Sequence, residues 1–181
     1  MKPIQSYYHL ETDRLQFRPI ELSDVESWLP FFDNNPSLRF VGMGSDAFKN
    51  LSDQEKCFRW LNKQIERKEN DQYGQLSVIE KQTGKFIGVA GLIYRNEMGV
   101  DDSLEVTYSL LTEAHGKGYG TEAAVCFKDF AFNKVGVNHV VSIIHKENKA
   151  SKNVAQKNGM SILYDIDDYM SMPVHIYGIK K

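Results

Sequence analysis

Three glycines alternate in Gly116-Lys117-Gly118-Tyr119-Gly120, between an apolar stretch ending at Leu110-Leu111 and a segment whose Ala124, Phe127 and Ala131 recur at helical spacing. Glycine is required where a chain turns sharply or its backbone approaches a ligand, because it has no Cβ to clash. A glycine turn that opens a helix aims several free N–H groups, with the positive end of the helix, at one point. That is a ready seat for a phosphate or pyrophosphate, and the alternative is a plain tight connection. Spacing sorts the nucleotide loops that use such turns. A Walker loop needs Gly-Lys followed at once by Ser or Thr, whereas Gly118 follows Lys117. A dinucleotide fingerprint wants its third glycine where Thr121 stands and an acid about twenty positions on, where Val140 to Ile144 hold none. Lys117 adds charge beside the turn, or is solvated; His115 just before it can contact a phosphate, or is a surface loop residue.

Such a turn works only between a strand and a helix, and the flanking sequence supplies both. The chain reads as strand (104 to 111), turn (115 to 120), helix (121 to 134), strand (139 to 145), helix (148 to 158) and strands (162 to 169 and 174 to 179). Upstream, Leu15-Gln16-Phe17-Arg18 alternates apolar with polar and stops at Pro19, as a first strand does. Ser23 or Asp24 can cap a first helix. Ser52 with Glu55 forms a capping-box start, and Phe58, Leu61 and Ile65 follow at helical spacing. Residues 75 to 80 and 85 to 94, rich in Val, Ile and Phe, flank Lys81-Gln82-Thr83-Gly84 as a hairpin. An antiparallel hairpin followed by β-α-β-α-β predicts a mixed sheet carrying helices, an α/β (α+β) domain.

Bulk composition narrows the functions available. With 181 residues, 41% of them apolar, one core closes comfortably and two do not. A formal net charge of −2 leaves no basic excess to draw nucleic acid or an anionic membrane. Cys57 and Cys126 sit in helical patterns and read as reduced core residues. No metal site is expected: His139 and His145 share a strand face but stand roughly 20 Å apart, too far to chelate together. The absence of a signal-like N-terminal run or of a long apolar span leads to the expectation of a cytoplasmic protein.

The sequence His115-Gly-Lys-Gly-Tyr-Gly resembles the Gln/Arg-x-x-Gly-x-Gly/Ala coenzyme A loop of the GNAT acetyltransferase superfamily in every position but the first. Leu10-Glu11-Thr12-Asp13-Arg14-Leu15-Gln16-Phe17-Arg18-Pro19 is similar to the opening of the branch that acetylates ribosomal-protein N-termini. Leu104-Glu105-Val106-Thr107-Tyr108-Ser109-Leu110-Leu111 resembles its Glu-x-Gly-Tyr-x-Leu strand, with Thr107 for glycine. Glu147-Asn148-Lys149-Ala150-Ser151 through Lys157-Asn158-Gly159-Met160 resembles its Glu-Asn-x-x-Ser…Lys-x-Gly-Phe segment, with Met160 for phenylalanine. The motifs occur in family order across 10 to 178, taken as one N-acetyltransferase domain.

The resemblance implies a mostly antiparallel central sheet splayed between two parallel strands, 104 to 111 and 139 to 145, with helices on both faces and acetyl-CoA in the V. It implies that Leu110, Leu111, His115, Gly116, Lys117, Gly118, Tyr119, Gly120 and Thr121 hold the coenzyme. Asn148 would lie along the pantetheine arm and Ser151 near the thioester sulfur, although either residue can simply cap the helix. The family's tyrosine acid, four residues after that serine, is Ala155 here, so Ser151, water or no acid serves the leaving thiolate. Glu105, in an otherwise apolar strand leading to the turn, is the candidate general base, partial burial raising its pKa toward the useful range; a glutamate paired with an Arg or Lys, or simply facing solvent, is the alternative. Tyr108, three residues on and so on the opposite strand face, shapes the acetyl pocket or packs in the core.

The implied acceptor is an amine, on a small molecule or a protein N-terminus, taken up by a monomer or a homodimer. It would be chosen by Phe31 to Asn50, where Phe40, Val41 and Met43 suggest an apolar wall beside Gly42 and Gly44, and by the hairpin from Tyr94 to Val100. Two rival readings remain: a non-catalytic acyl-CoA-binding or sensing module, suggested by His115, Thr107 and Ala155, and a nucleotide-binding protein.

Overall fold

In a computed structural model of the chain, which describes residues 2–33, 35–41, 48, 50–96 and 102–181, alternation at Leu15-Gln16-Phe17-Arg18 becomes strand β1, Leu15–Arg18. Leu15 and Phe17 point into the core and Gln16 outward, the period-two pattern of a half-buried strand. Strands β2 (Gln75–Glu80) and β3 (Lys85–Arg95) form the expected hairpin, and β4 (Ser103–Leu110) continues antiparallel to β3 from Gly88↔Leu110 to Arg95↔Ser103. Strand β5 (His139–His145) lies parallel to β4, and β6 (Ser161–Tyr169) and β7 (Met172–Lys180) finish the sheet. The order is β1-β2-β3-β4-β5-β7-β6, with β4 and β5 as its parallel neighbours.

That parallel pairing is brief. Leu104 faces Val140 and Glu105 faces Val141, after which the strands part; Ser142 Oγ donates to the Val106 carbonyl at 2.8 Å just beyond the last shared rung. The mixed, splayed sheet expected from the resemblance is therefore present, with Glu105 at the vertex of the V.

Helices cover both faces. On one, α3 (Tyr119–Phe130) and α4 (Lys149–Lys157) pack over a core in which Phe127 meets Phe17 at a ring separation of 4.8 Å and Tyr7 at 5.8 Å. On the other, α1 (Val25–Trp28) and α2 (Asp53–Glu69) bury Trp28, Cys57 and Leu61 against Val89 and Leu111. Ser52 and Glu55 make the capping box read from the sequence: Glu55 N donates to Ser52 Oγ at 3.3 Å, and Ser52 N to Glu55 Oε2 at 2.7 Å.

Two elements depart from the expected outline. Helix α1 is a single turn, entered through a 3₁₀ turn at Leu22–Asp24 and ended by another at Leu29–Phe31, where Pro30 has no N–H to continue the α ladder. Asp24, expected as a simple cap, instead gives its carboxylate to Arg18, Ser77 and the Glu21 amide. Helix α3 starts at Tyr119 rather than 121, because Gly118, at φ +83°, completes the reversal just before it. It gives way to a π-helical turn at Ala131–Val135.

Candidate active site

The glycine turn joins β4 to α3 at the open end of the V. Gly116 and Gly118 have φ of +76° and +83°, the left-handed region that costs an L-residue roughly 1–2 kcal/mol. The first backbone bond of α3 runs from Glu122 N to Gly118 O at 3.1 Å, and the amides of Gly116 through Thr121 donate to nothing among the described residues. A Cβ on Gly116 would meet no atom within 4 Å, so the turn is open to a ligand. At Gly120 a Cβ would lie 3.6 Å from Val154, 3.8 Å from Leu110 and 3.9 Å from Tyr108, so this residue looks into the V between β4 and α4. An open row of unpartnered amides at a helix N-terminus fits a pyrophosphate.

His115 does not extend from the turn. Its Nε2 lies 3.0 Å from the Leu110 carbonyl, and since a carbonyl only accepts, Nε2 carries the proton. The ring thus holds the end of β4, while the Leu111 amide is tied to the Ile87 carbonyl at 3.0 Å. Lys117 is exposed.

The two faces of β4 differ in chemistry. Leu104, Val106 and Leu110 enter the core under α3, and Tyr108 packs against the same cluster. The Tyr108 hydroxyl donates to the Ser151 carbonyl at 3.1 Å, bridging β4 to α4 across the V. Burial pushes this phenol well above its ordinary pKa, so it stays a donor. Asn148 Oδ1 accepts the Ser151 amide at 3.1 Å, capping α4 and leaving its Nδ2 for another partner. Tyr108, Ser151 and Asn148 are thereby linked by hydrogen bonds between β4 and the start of α4, and Gly120 adjoins the same space.

The opposite face carries polar groups. Glu105 is 6% exposed, and its Oε2 accepts from Arg95 Nε at 2.7 Å; Oε1 takes no hydrogen bond among the described residues. The burial expected of Glu105 is present, and so is the cationic partner named as its alternative. Towards the start of β4, Ser103 Oγ lies 2.7 Å from His139 Nε2. At the other end of β5, the Phe40 ring stands 5.0 Å from that of His145, and His145 Nδ1 accepts the Glu147 amide at 3.0 Å. Phe40, from the 3₁₀ turn Pro36–Phe40, thus reaches over the end of β5. Of the suggested acceptor wall, Gly42, Met43 and Gly44 lie outside the described residues, as do 97–100 of the β3–β4 connection.

Arg95 and Arg14 carry contacts that sequence reasoning did not assign. Arg95 looks like one more hairpin residue until the register pairs it with Ser103, which sets its side chain on the same face as Glu105. Arg14 belongs to the opening motif, but only the fold brings it to the glycine turn, where its Nη1 donates to the Lys117 carbonyl at 3.0 Å. Burial pushes the Cys57 thiol up to about 11, and the same cause, with Asp129 and Glu122 adding to it, does so for Cys126; both are free.

Comparison with known proteins identifies the family and agrees with the fold. The family model described as acetyltransferase (GNAT) domain matches residues 14–161, and the chain belongs to that family, whose members are acyltransferases that use acetyl-CoA. Bacillus subtilis YkkB is 28% identical over 169 residues, covering 93% of each chain. Among solved structures, the acetyltransferase from Agrobacterium tumefaciens superposes with a TM-score of 0.75 at 23% identity, covering 96% of this chain and 94% of its own. RimL, the ribosomal L7/L12 alpha-N-protein acetyltransferase solved in complex with coenzyme A, superposes at 0.71 and 13% identity, covering 93% and 95%. Among the described residues, no helix is long and apolar enough to cross a membrane.

Proposed function

We propose that this protein transfers the acetyl group of acetyl-CoA directly to a primary amine, with Glu105 as general base. The amine is a protein N-terminal α-amine or that of a small molecule. The carrying observation is the position of Glu105: at the last rung shared by β4 and β5, ion-paired through Oε2 and with Oε1 unengaged among the described residues.

In this reading the amides of Gly116 through Thr121 hold the pyrophosphate, and Asn148 Nδ2 and the backbone at Leu110-Leu111 guide the pantetheine arm down the V. The thioester then lies beside Tyr108 and Ser151. Glu105 Oε1 takes a proton from the amine, directly or through one water, as nitrogen bonds to the acyl carbon. The C–S bond breaks, and the departing thiolate takes a proton from the Ser151 hydroxyl or from water. Arg95 keeps the carboxylate oriented. Phe40 and His145 form the acceptor-side rim.

The experiment incubates purified protein with acetyl-CoA and separate panels of N-terminal peptides and small amines, and measures released thiol together with acetylated product. Thiol release that depends on one acceptor class supports the reading and names the acceptor. A protein that binds CoA, seen as a raised thermal midpoint, yet releases thiol with no amine is instead an acyl-CoA-binding module. Stabilisation only by ATP or NAD overturns the coenzyme assignment. Sedimentation of the same sample separates a monomer from a homodimer.

A further inference from the structure

The glycine turn owes its freedom to two left-handed residues, so something must hold it in the shape that lines up its amides. The described residues supply that hold from the N-terminal segment, more than a hundred positions away. Arg14 Nη1 donates to the Lys117 carbonyl at 3.0 Å, in the middle of the turn. The same guanidinium reaches Glu122 through Nε at 2.7 Å and Nη2 at 2.5 Å. It also lies over the Tyr119 ring, 4.6 Å from its centre, while the Tyr119 hydroxyl donates to Glu80 on β2. Two further donors meet Glu122 Oε1, the Thr12 hydroxyl at 2.5 Å and the Arg14 amide at 3.1 Å.

Glu122 makes this arrangement more than a brace. It stands in the first turn of α3, where the helix dipole favours a carboxylate. The same position sets a negative charge beside the seat of a pyrophosphate. Burial raises the Glu122 pKa, but the hydrogen bonds from Thr12 and Arg14 outweigh it and the net shift is downward, so the group stays ionised. An ionised carboxylate there opposes anion binding unless a cation lies against it, and Arg14 is that cation.

We propose that Arg14 is the positioning residue of the coenzyme turn: its guanidinium ties the Lys117 carbonyl to the Glu122 carboxylate, which aligns the Gly116–Thr121 amides for pyrophosphate and cancels the charge of Glu122. The proposal rests on the coenzyme assignment of the preceding section.

The test compares two ligands by titration calorimetry: CoA, which carries the pyrophosphate, and pantetheine, which lacks it. For Arg14→Gln the Kd of CoA rises about tenfold, the scale of one charge-assisted hydrogen bond, while that of pantetheine stays within about twofold. With acetyl-CoA and an acceptor, KM for acetyl-CoA rises and kcat at saturation is retained. Arg14→Lys keeps the charge but not the planar fork and gives an intermediate loss, read by the same ratio of the two Kd values if Arg14→Gln does not fold. CoA binding unchanged in both variants, or equal loss of CoA and pantetheine, overturns the proposal. Failure of the unaltered protein to bind CoA would instead remove the coenzyme assignment itself.

Discussion

Two partly buried ion pairs occupy the same face of the sheet, and they are finished to different degrees. In the first, Arg18 grips both Asp24 oxygens, at 2.9 and 2.6 Å, and Asp24 Oδ2 also accepts from Ser77 Oγ at 2.8 Å and the Glu21 amide at 3.0 Å. In the second, Arg95 reaches Glu105 through one nitrogen, and Oε1 is left unengaged among the described residues. A carboxylate surrounded by donors has its lone pairs spoken for, whereas one held by a single donor keeps an oxygen that can still accept. The first pair fastens the α1 entry to β1 and β2. The second lies at the vertex where β4 and β5 part, and on the proposed function it is the one that meets the acceptor amine.

The largest effect that would break this comparison falls on the unfinished pair. Glu105→Gln keeps the shape and removes the base, so kcat drops about 10²–10³-fold, within the usual range for a general base, while CoA affinity stays within about twofold. Steady-state thiol release beside calorimetry checks it, and an unchanged kcat assigns Glu105 to structure alone.

On the finished pair the expected damage is to stability. Asp24→Asn weakens the fork on Arg18 and costs about 2 kcal/mol, less than the 3–5 kcal/mol for a fully buried pair because Arg18 is about a third exposed. Urea unfolding measures the loss; turnover per folded molecule is unaltered.

The same residue carries a pH signature. Burial raises the Asp24 pKa, yet the hydrogen bonds from Arg18, Glu21 and Ser77 prevail and lower it. A carboxylate with a depressed folded pKa contributes its stability above the unfolded value of about 3.9, and loses it as pH falls through that value to the folded one. Unfolding midpoints taken between pH 6 and pH 2 should therefore fall more steeply below about pH 4 in the unaltered protein than in Asp24→Asn.

The smallest change tests the other face of β4. Tyr108→Phe removes the hydrogen bond to the Ser151 carbonyl, worth about 1 kcal/mol, and lets α4 relax from the V. KM for acetyl-CoA rises a few-fold, and kcat falls less than in Glu105→Gln. A kcat loss as large as that of Glu105→Gln would make Tyr108, rather than the opposite face, the centre of the chemistry.

Much of the molecule was legible beforehand because its signals are local. The period-two alternation of β1, the Ser52–Glu55 box and the glycine turn each act through neighbours a few residues apart, and each has its expected counterpart in the fold. The site was legible to the extent that it lies along one continuous run, β4 through the turn. Contacts between distant segments were not, because Phe40 meets His145 from a separate loop and Arg95 meets Glu105 only through hairpin register.

The linear order of residues determined the elements, the parallel crossover and the presence of an amide cradle, since propensity, glycine freedom and strand alternation depend on covalent neighbours. Tertiary structure alone decided that β4 and β5 share two rungs before parting, that Glu105 stands at that vertex with Oε2 held by Arg95, and that Arg14 grips Lys117 and Glu122. Those contacts join residues 10 to 108 positions apart, and their geometry is set by sheet register and helix docking, to which no local pattern in the chain corresponds.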